Sequence, residues 1–137
     1  MRFIDTNVLL YSVSTDSAEA LKAERANAIL AARDVRLSVQ VLQEFYVQAT
    51  RASRPDALSH ETAAGLVETF LRFPVQDTTP AVVRAAMATR NNFGISCWDA
   101  SIIEAARASG CDTLLSEGLS DGADYDGVRV ENPFRGL

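Results

Sequence analysis

A short apolar run near the start of the chain, Phe3-Ile4, breaks off at Asp5-Thr6-Asn7. This is the pattern of a buried strand that hands a carboxylate and two small polar groups to the turn after it. The Ala-, Leu- and Glu-rich stretch from about Ser17 to Ala32 has helical spacing, and Val35-Arg36-Leu37-Ser38 alternates like a short strand leading into a helix from Val39 to about Ala52. A third helix is expected after the cap-like Ser59, reaching Phe73, with Pro74-Val75-Gln76 a brief extended piece beyond it. Pro80 suits the first turn of a helix running to Arg90, and Ser96 opens another that ends at Gly110. Cys111 to Ser116 reads as a strand, Glu117 to Gly127 as a Gly/Asp/Ser-rich loop, and Val128-Arg129-Val130 as a last strand before Pro133. Strands that alternate with helices predict an α/β fold: a central, mostly parallel β-sheet flanked by helices in three layers, formed by residues 1–137 as a single domain. The pattern alone does not order the strands.

Composition narrows the chemistry. With 47% apolar residues the 137-residue chain has enough material for a core. No apolar run approaches the roughly 20 residues of a membrane helix, and no basic segment followed by an apolar signal core stands at the start, so a cytoplasmic protein is expected. Two cysteines, Cys97 and Cys111, and one histidine, His60, make no His/Cys metal cluster, so any metal must be held by oxygen. A net charge of −5 argues against nucleic-acid binding through bulk electrostatics. A nuclease remains open, because metal ions neutralise the carboxylates that hold them.

Four acidic positions follow strands or open the helices after them. Asp99 shares a helical stripe with Ile102, Ile103 and Ala106, and a carboxylate in an apolar stripe must be paired, protonated or metal-bound. The rival reading is a capping box, with Ser96 as N-cap and Asp99 reaching back. Asp5 has a similar rival role as a cap or a partner of strand-end amides. Glu44 borders the stripe of Val41, Phe45 and Ala49, where a solvated glutamate is ordinary. The fourth acidic stretch is Leu114-Leu115-Ser116-Glu117-Gly118-Leu119-Ser120-Asp121-Gly122. In an open α/β sheet the carboxyl ends of the strands share one edge, where ligands bind. Converging there, these acids form an oxygen-only pocket suited to Mg²⁺ or Mn²⁺.

Four blocks carry a resemblance across nearly the whole chain: Phe3-Ile4-Asp5-Thr6-Asn7-Val8-Leu9, Ser38-Val39-Gln40-Val41-Leu42-Gln43-Glu44-Phe45, Ile95-Ser96-Cys97-Trp98-Asp99-Ala100, and the acidic stretch above with the tail Val130-Glu131-Asn132-Pro133-Phe134. In this order and spacing the chain resembles the PIN-domain ribonucleases, in particular the VapC-like toxins of bacterial toxin–antitoxin pairs. The resemblance implies an Mg²⁺-dependent endoribonuclease (Mn²⁺ also fitting), which hydrolyses RNA with a metal-activated water and leaves 5′-phosphates. It assigns Asp5 and Asp99 as direct metal ligands, Glu44 as a ligand or an orienter through water, and Asp121 as the fourth acid. Asn7 and Ser116 take supporting roles. Gly118 departs from the pattern, since similar sequences commonly have an aspartate there; Glu117 or Asp121 would then supply the fourth ligand, or a second metal would bind weakly until RNA adds phosphate oxygens. The resemblance further implies a homodimer and a small VapB-like antitoxin that blocks the acidic site.

For RNA contacts the available cations are Arg51 with Arg54, and Arg90 beside Asn91 and Asn92, which equally read as solubilising residues. Trp98, among apolar neighbours, is expected in the core rather than stacked on a base. The cysteines read as small buried residues. The alternative to the nuclease is a catalytically degenerate PIN-like module that binds RNA or an antitoxin without turnover. A phosphatase with Asp5 as nucleophile is disfavoured, because Thr6-Asn7 supplies no second aspartate two residues on.

Overall fold

The computed structural model describes residues 1–137. Five strands lie parallel: β1 (Arg2–Ile4), β2 (Val35–Ser38), β3 (Val75–Gln76), β4 (Thr113–Leu115) and β6 (Val128–Glu131). A sixth, β5 (Asp124–Tyr125), pairs antiparallel with β6, and the order across the sheet is β3-β2-β1-β4-β6-β5. Between them come α1 (Thr6–Ser12), α2 (Ala20–Ala31), α3 (Val39–Ala49), α4 (His60–Phe70), α5 (Pro80–Phe93) and α6 (Cys97–Ala108).

From β1 the chain steps outward to β2 and β3, then returns past β2 and β1 to β4 and continues to the β5–β6 hairpin on the far side. Parallel crossovers are almost always right-handed, so reversing the direction of travel moves the connecting helices to the other face. Helix contacts agree: α1 touches α2 and α3, α3 touches α4, while α5 and α6 pack on each other and α6 lies across β2, β3, β4 and β6. The result is the expected three-layer α/β/α sandwich with a mostly parallel sheet.

Local chemistry explains the helix ends. Side-chain caps start five helices: Asp5 accepts from the N–H of Thr6, Ser38 from Val41, Ser59 from Thr62, Thr79 from Val82 and Ser96 from Asp99. Pro80 sits in the first turn of α5, and Gly94, with φ of +68°, ends it in the left-handed conformation that a side chain resists.

Two elements depart from the sequence reading. Helix α1 follows β1 at once, and its seven residues are too few for a periodic signal. The region expected as loop contains β5, joined to β6 by Asp126-Gly127, both at positive φ (+52° and +99°); this is the two-residue turn that suits a twisted hairpin. The helix expected from Ser17 begins as a 3-10 turn, Ser17–Glu19, and is α-helical only from Ala20. Helices α3 and α4 stop three residues earlier than expected and α5 extends three further.

One cluster of 25 buried side chains runs from Phe3 to Phe134 through both helical layers. Phe3, Phe45 and Ile103 have no exposed surface, and Phe45 meets Phe70 edge-on at 5.2 Å between α3 and α4. Trp98 is absent from that core: it is 72% exposed, against the expectation from its apolar neighbours. It occupies the second position of α6, just inside the Ser96 cap, before the helix is enclosed at Ala100. No helix is long and apolar enough to cross a membrane.

Candidate active site

Strands β1 and β4 are neighbours, but β1 leads to β2 on one side and β4 to β6 on the other. A crevice opens at the carboxyl ends of two such strands, and the residues that leave them face it. The residues at that point are Asp5 and Ser116. They are tied together twice: the N–H of Asp5 donates to Leu115 O (3.0 Å), and the hydroxyl of Ser116 donates to Asp5 Oδ2 (2.8 Å). Asp5 Oδ1 meanwhile accepts from the Thr6 N–H at 2.7 Å, so the carboxylate both caps α1 and faces the crevice.

Thr6 reaches the next acid. Its buried hydroxyl donates to Glu44 Oε2 (2.9 Å), and Glu44 Oε1 accepts from the carboxamide of Gln40, one turn earlier on α3 (3.1 Å). The same Gln40 nitrogen donates to Trp98 O (3.1 Å), which pins the first turn of α6 and with it Asp99. Thus Ser116, Asp5, Thr6, Glu44, Gln40 and Trp98 form a chain of contacts from β4 across to α6. Ser96 caps the N–H of Asp99 (3.0 Å), but the Asp99 carboxylate does not return the contact, so only half of the capping box forms. Half-buried and without a hydrogen-bond partner of its own, that carboxylate is available for a ligand.

Electrostatics unite the three acids. Burial pushes the Asp5 carboxyl above the usual carboxylate range; Ser116 and the Thr6 amide pull it down, and the charges of Glu44 and Asp99 push it up again. The donor set is oxygen only, and a cation would relieve the repulsion among the three charges. No three acidic, cysteine or histidine side chains stand close enough together to form a ready-made metal cage. What Asp5, Glu44 and Asp99 offer is oxygen donors, the ligand type that hard cations such as Mg²⁺ take.

The remaining expected residues fall into distinct settings. Asn7 Oδ1 accepts from the Glu117 N–H (3.4 Å), and Ser116 Oγ accepts from the N–H groups of Gly118 and Leu119 (3.2 and 3.3 Å), so both shape the turn after β4. Glu117 pairs with Lys22 (2.8 Å) and accepts from the Tyr11 hydroxyl. Burial raises its pKa, but these two partners outweigh that and leave it lowered. Asp121 is held by the C-terminal tail, accepting from the Asn132 N–H (2.9 Å) and pairing with Arg135 (3.2 Å), and it is not among the charges that act on Asp5. Arg51 lines a shallow recess of about 310 Å³ together with Glu44, Gln43, Val47 and Gln48. Arg54 instead pairs with Asp56 (3.3 Å), and Arg90 is exposed in the last turn of α5.

Sequence reasoning missed Gln40 and Thr6 as members of the site. Gln40 did carry a signal, since it lies one helical turn from Glu44 on the same face.

A PIN domain model matches residues 2–119. The chain belongs to the PIN domain family. Solved PIN-fold structures align over nearly the whole length. A toxin–antitoxin complex from Klebsiella pneumoniae matches with a TM-score of 0.73 at 18% identity, covering 98% of each chain. VapC20 of Mycobacterium tuberculosis, described as a toxin that cleaves the sarcin–ricin loop, matches at 0.66 and 19% identity over 83% of this chain and 87% of that one. VapBC2 of Rickettsia felis, solved on promoter DNA, matches at 0.65 and 18% identity over 96% and 97%. At such identities these PIN structures share a fold with this chain, and fold alone does not fix function. No curated protein sequence matches the chain.

Proposed function

We propose that this PIN domain, residues 1–137 acting as one unit in the cytoplasm, is a divalent-metal-dependent endoribonuclease and the toxin of a toxin–antitoxin pair. The observation that carries this reading is the Asp5 carboxylate, buried at the crevice between β1 and β4, whose pKa is raised by that burial and further by the charges of Glu44 and Asp99. Asp5 and Asp99 would hold Mg²⁺ or Mn²⁺, with Glu44 acting directly or through a water. When bound, the cation supplies a water activated near neutral pH and neutralises charge on the phosphodiester.

The chain's own residues set the stage for that chemistry. Ser116 and the Thr6 amide hold both Asp5 oxygens in a fixed orientation and offset part of the cost of burying the charged carboxylate. Thr6 and Gln40 fix the two oxygens of Glu44, leaving further lone pairs free toward the crevice. Arg51, on the recess beside Glu44, is placed to meet an RNA phosphate. Glu117 and Asp121 are each already neutralised, by Lys22 and Arg135, so either would have to exchange that partner to serve as a fourth ligand.

Structures similar to this one are toxin–antitoxin complexes, which supports a VapB-like antitoxin as partner; the homodimer rests on the family resemblance alone. A basic antitoxin side chain entering the crevice would replace the metal's charge with its own. The second reading, a PIN-like module without turnover, is favoured by Gly118 and by the lack of a preformed three-acid cage. The deciding experiment is cleavage of cellular RNA by antitoxin-free protein with Mg²⁺ or Mn²⁺. Discrete cuts abolished by EDTA, Asp5→Ala and Asp99→Ala support the nuclease; absence of cleavage together with absence of calorimetric metal binding supports the binding module.

A further inference from the structure

We propose that the indole of Trp98 is the platform on which an unpaired RNA base stacks beside the acids, an inference that rests on the ribonuclease reading above. Trp98 is the most exposed of the chain's large apolar side chains, at 72%. Its backbone is nonetheless among the most firmly placed at the site. The Gln40 carboxamide joins Trp98 O to Glu44 at 3.1 Å on either side, and Ser96 caps the turn through the N–H of Asp99. The indole is thus attached two hydrogen bonds from one candidate acid and one residue from another. Trp98 immediately precedes Asp99 in the first turn of α6, so its exposed indole leaves the backbone beside that acid. A base is joined to its phosphate through a single sugar, so a group beside the acids is placed for the base adjoining the phosphate that they address.

Charge supplies an independent reason. The chain is acidic overall, at −5, and of the three arginines considered for RNA only Arg51 lines the recess with Glu44. Affinity for a polyanion cannot then come mainly from released counterions. Stacking on an aromatic side chain is the contact that needs no positive charge, and it selects unpaired bases in loops and single strands over duplex.

Because Trp98 is the only tryptophan, its fluorescence reports on this one position. The test titrates the intact protein, with Ca²⁺ as cation, with an unstructured RNA oligonucleotide and with an abasic oligomer of equal length; a denaturing gel afterwards confirms that the RNA is uncut. Quenching by the base-bearing RNA alone is expected, with binding weakened about tenfold or more in Trp98→Ala and largely kept in Trp98→Phe. If the protein binds RNA with unchanged emission, and Trp98→Ala binds equally well, the platform is refuted while the ribonuclease reading stands. If no RNA binds at all, both fail. If the emission shifts to the blue with protein concentration and RNA does not reverse it, a second copy of the chain covers the indole and the platform is refuted.

Discussion

Removing one oxygen, in Ser116→Ala, tests whether the crevice is organised as its hydrogen bonds indicate. Ser116 is fully buried, and its hydroxyl donates to the Asp5 carboxylate at 2.8 Å while accepting from the amides of Gly118 and Leu119 at 3.2 and 3.3 Å. A hydrogen bond to a charged group contributes about 1.5–3 kcal/mol, and each buried amide left without an acceptor adds a desolvation penalty, partly offset because these two contacts are long. The expected loss is about 2–4 kcal/mol in metal-free protein. At about 4 °C per kcal/mol for a chain of this size, the melting temperature falls by roughly 8–16 °C. Urea unfolding of the wild type, Ser116→Ala, Asp5→Ala and the double variant gives both the loss and the coupling between the two side chains. A single-variant loss below about 1 kcal/mol, or a coupling near zero, refutes the claim that Ser116 holds Asp5 in place.

Asp5 carries a second expectation. Its folded pKa is raised, so the native protein holds this proton more tightly than the unfolded chain, and metal-free stability falls as pH rises through the range above the ordinary carboxylate value. Metal must displace that proton, so affinity rises with pH over the same range; an affinity independent of pH between about 4 and 7 in calorimetry contradicts this. A Cβ added at Gly118 meets only Asn7 Nδ2 and Ser116 Oγ, at 3.9 and 4.0 Å, so Gly118→Asp is expected to fold and to tighten Mg²⁺ binding several-fold, with no gain counting against a site beside that turn. Lys22→Met removes the larger of the two partners that lower the Glu117 pKa, leaving the Tyr11 hydroxyl. The pair's stabilisation, present above the unfolded glutamate pKa and lost as pH falls through the folded one, should vanish, flattening the acid side of the stability profile by up to about 1 kcal/mol.

Asp5 and Asp99 stood out as candidates because each follows an apolar or small-residue pattern at an element boundary. Glu44 was named with them, but the contacts through Thr6 and Gln40 were not legible, because these side chains meet Glu44 and Trp98 only once α1, α3 and α6 have packed. Strands of two to four residues carry little periodicity, which hid β5; its turn, Asp126-Gly127, was the available clue. Trp98 was misplaced because composition describes neighbours in sequence, whereas burial along α6 begins two residues later, at Ala100. Sheet order is set by crossovers that no local window contains, yet given that order the position of the crevice follows.

The tie between Asp5 and Ser116 spans 111 positions of the chain. During synthesis β1 must wait for β4, its neighbour on the crevice side, until the 111 positions between Asp5 and Ser116 have been made. At 5–20 residues per second that delay is on the order of ten seconds. On the ribonuclease reading proposed above, a site built across β1 and β4 stays unassembled, and so inert, until both strands have been made.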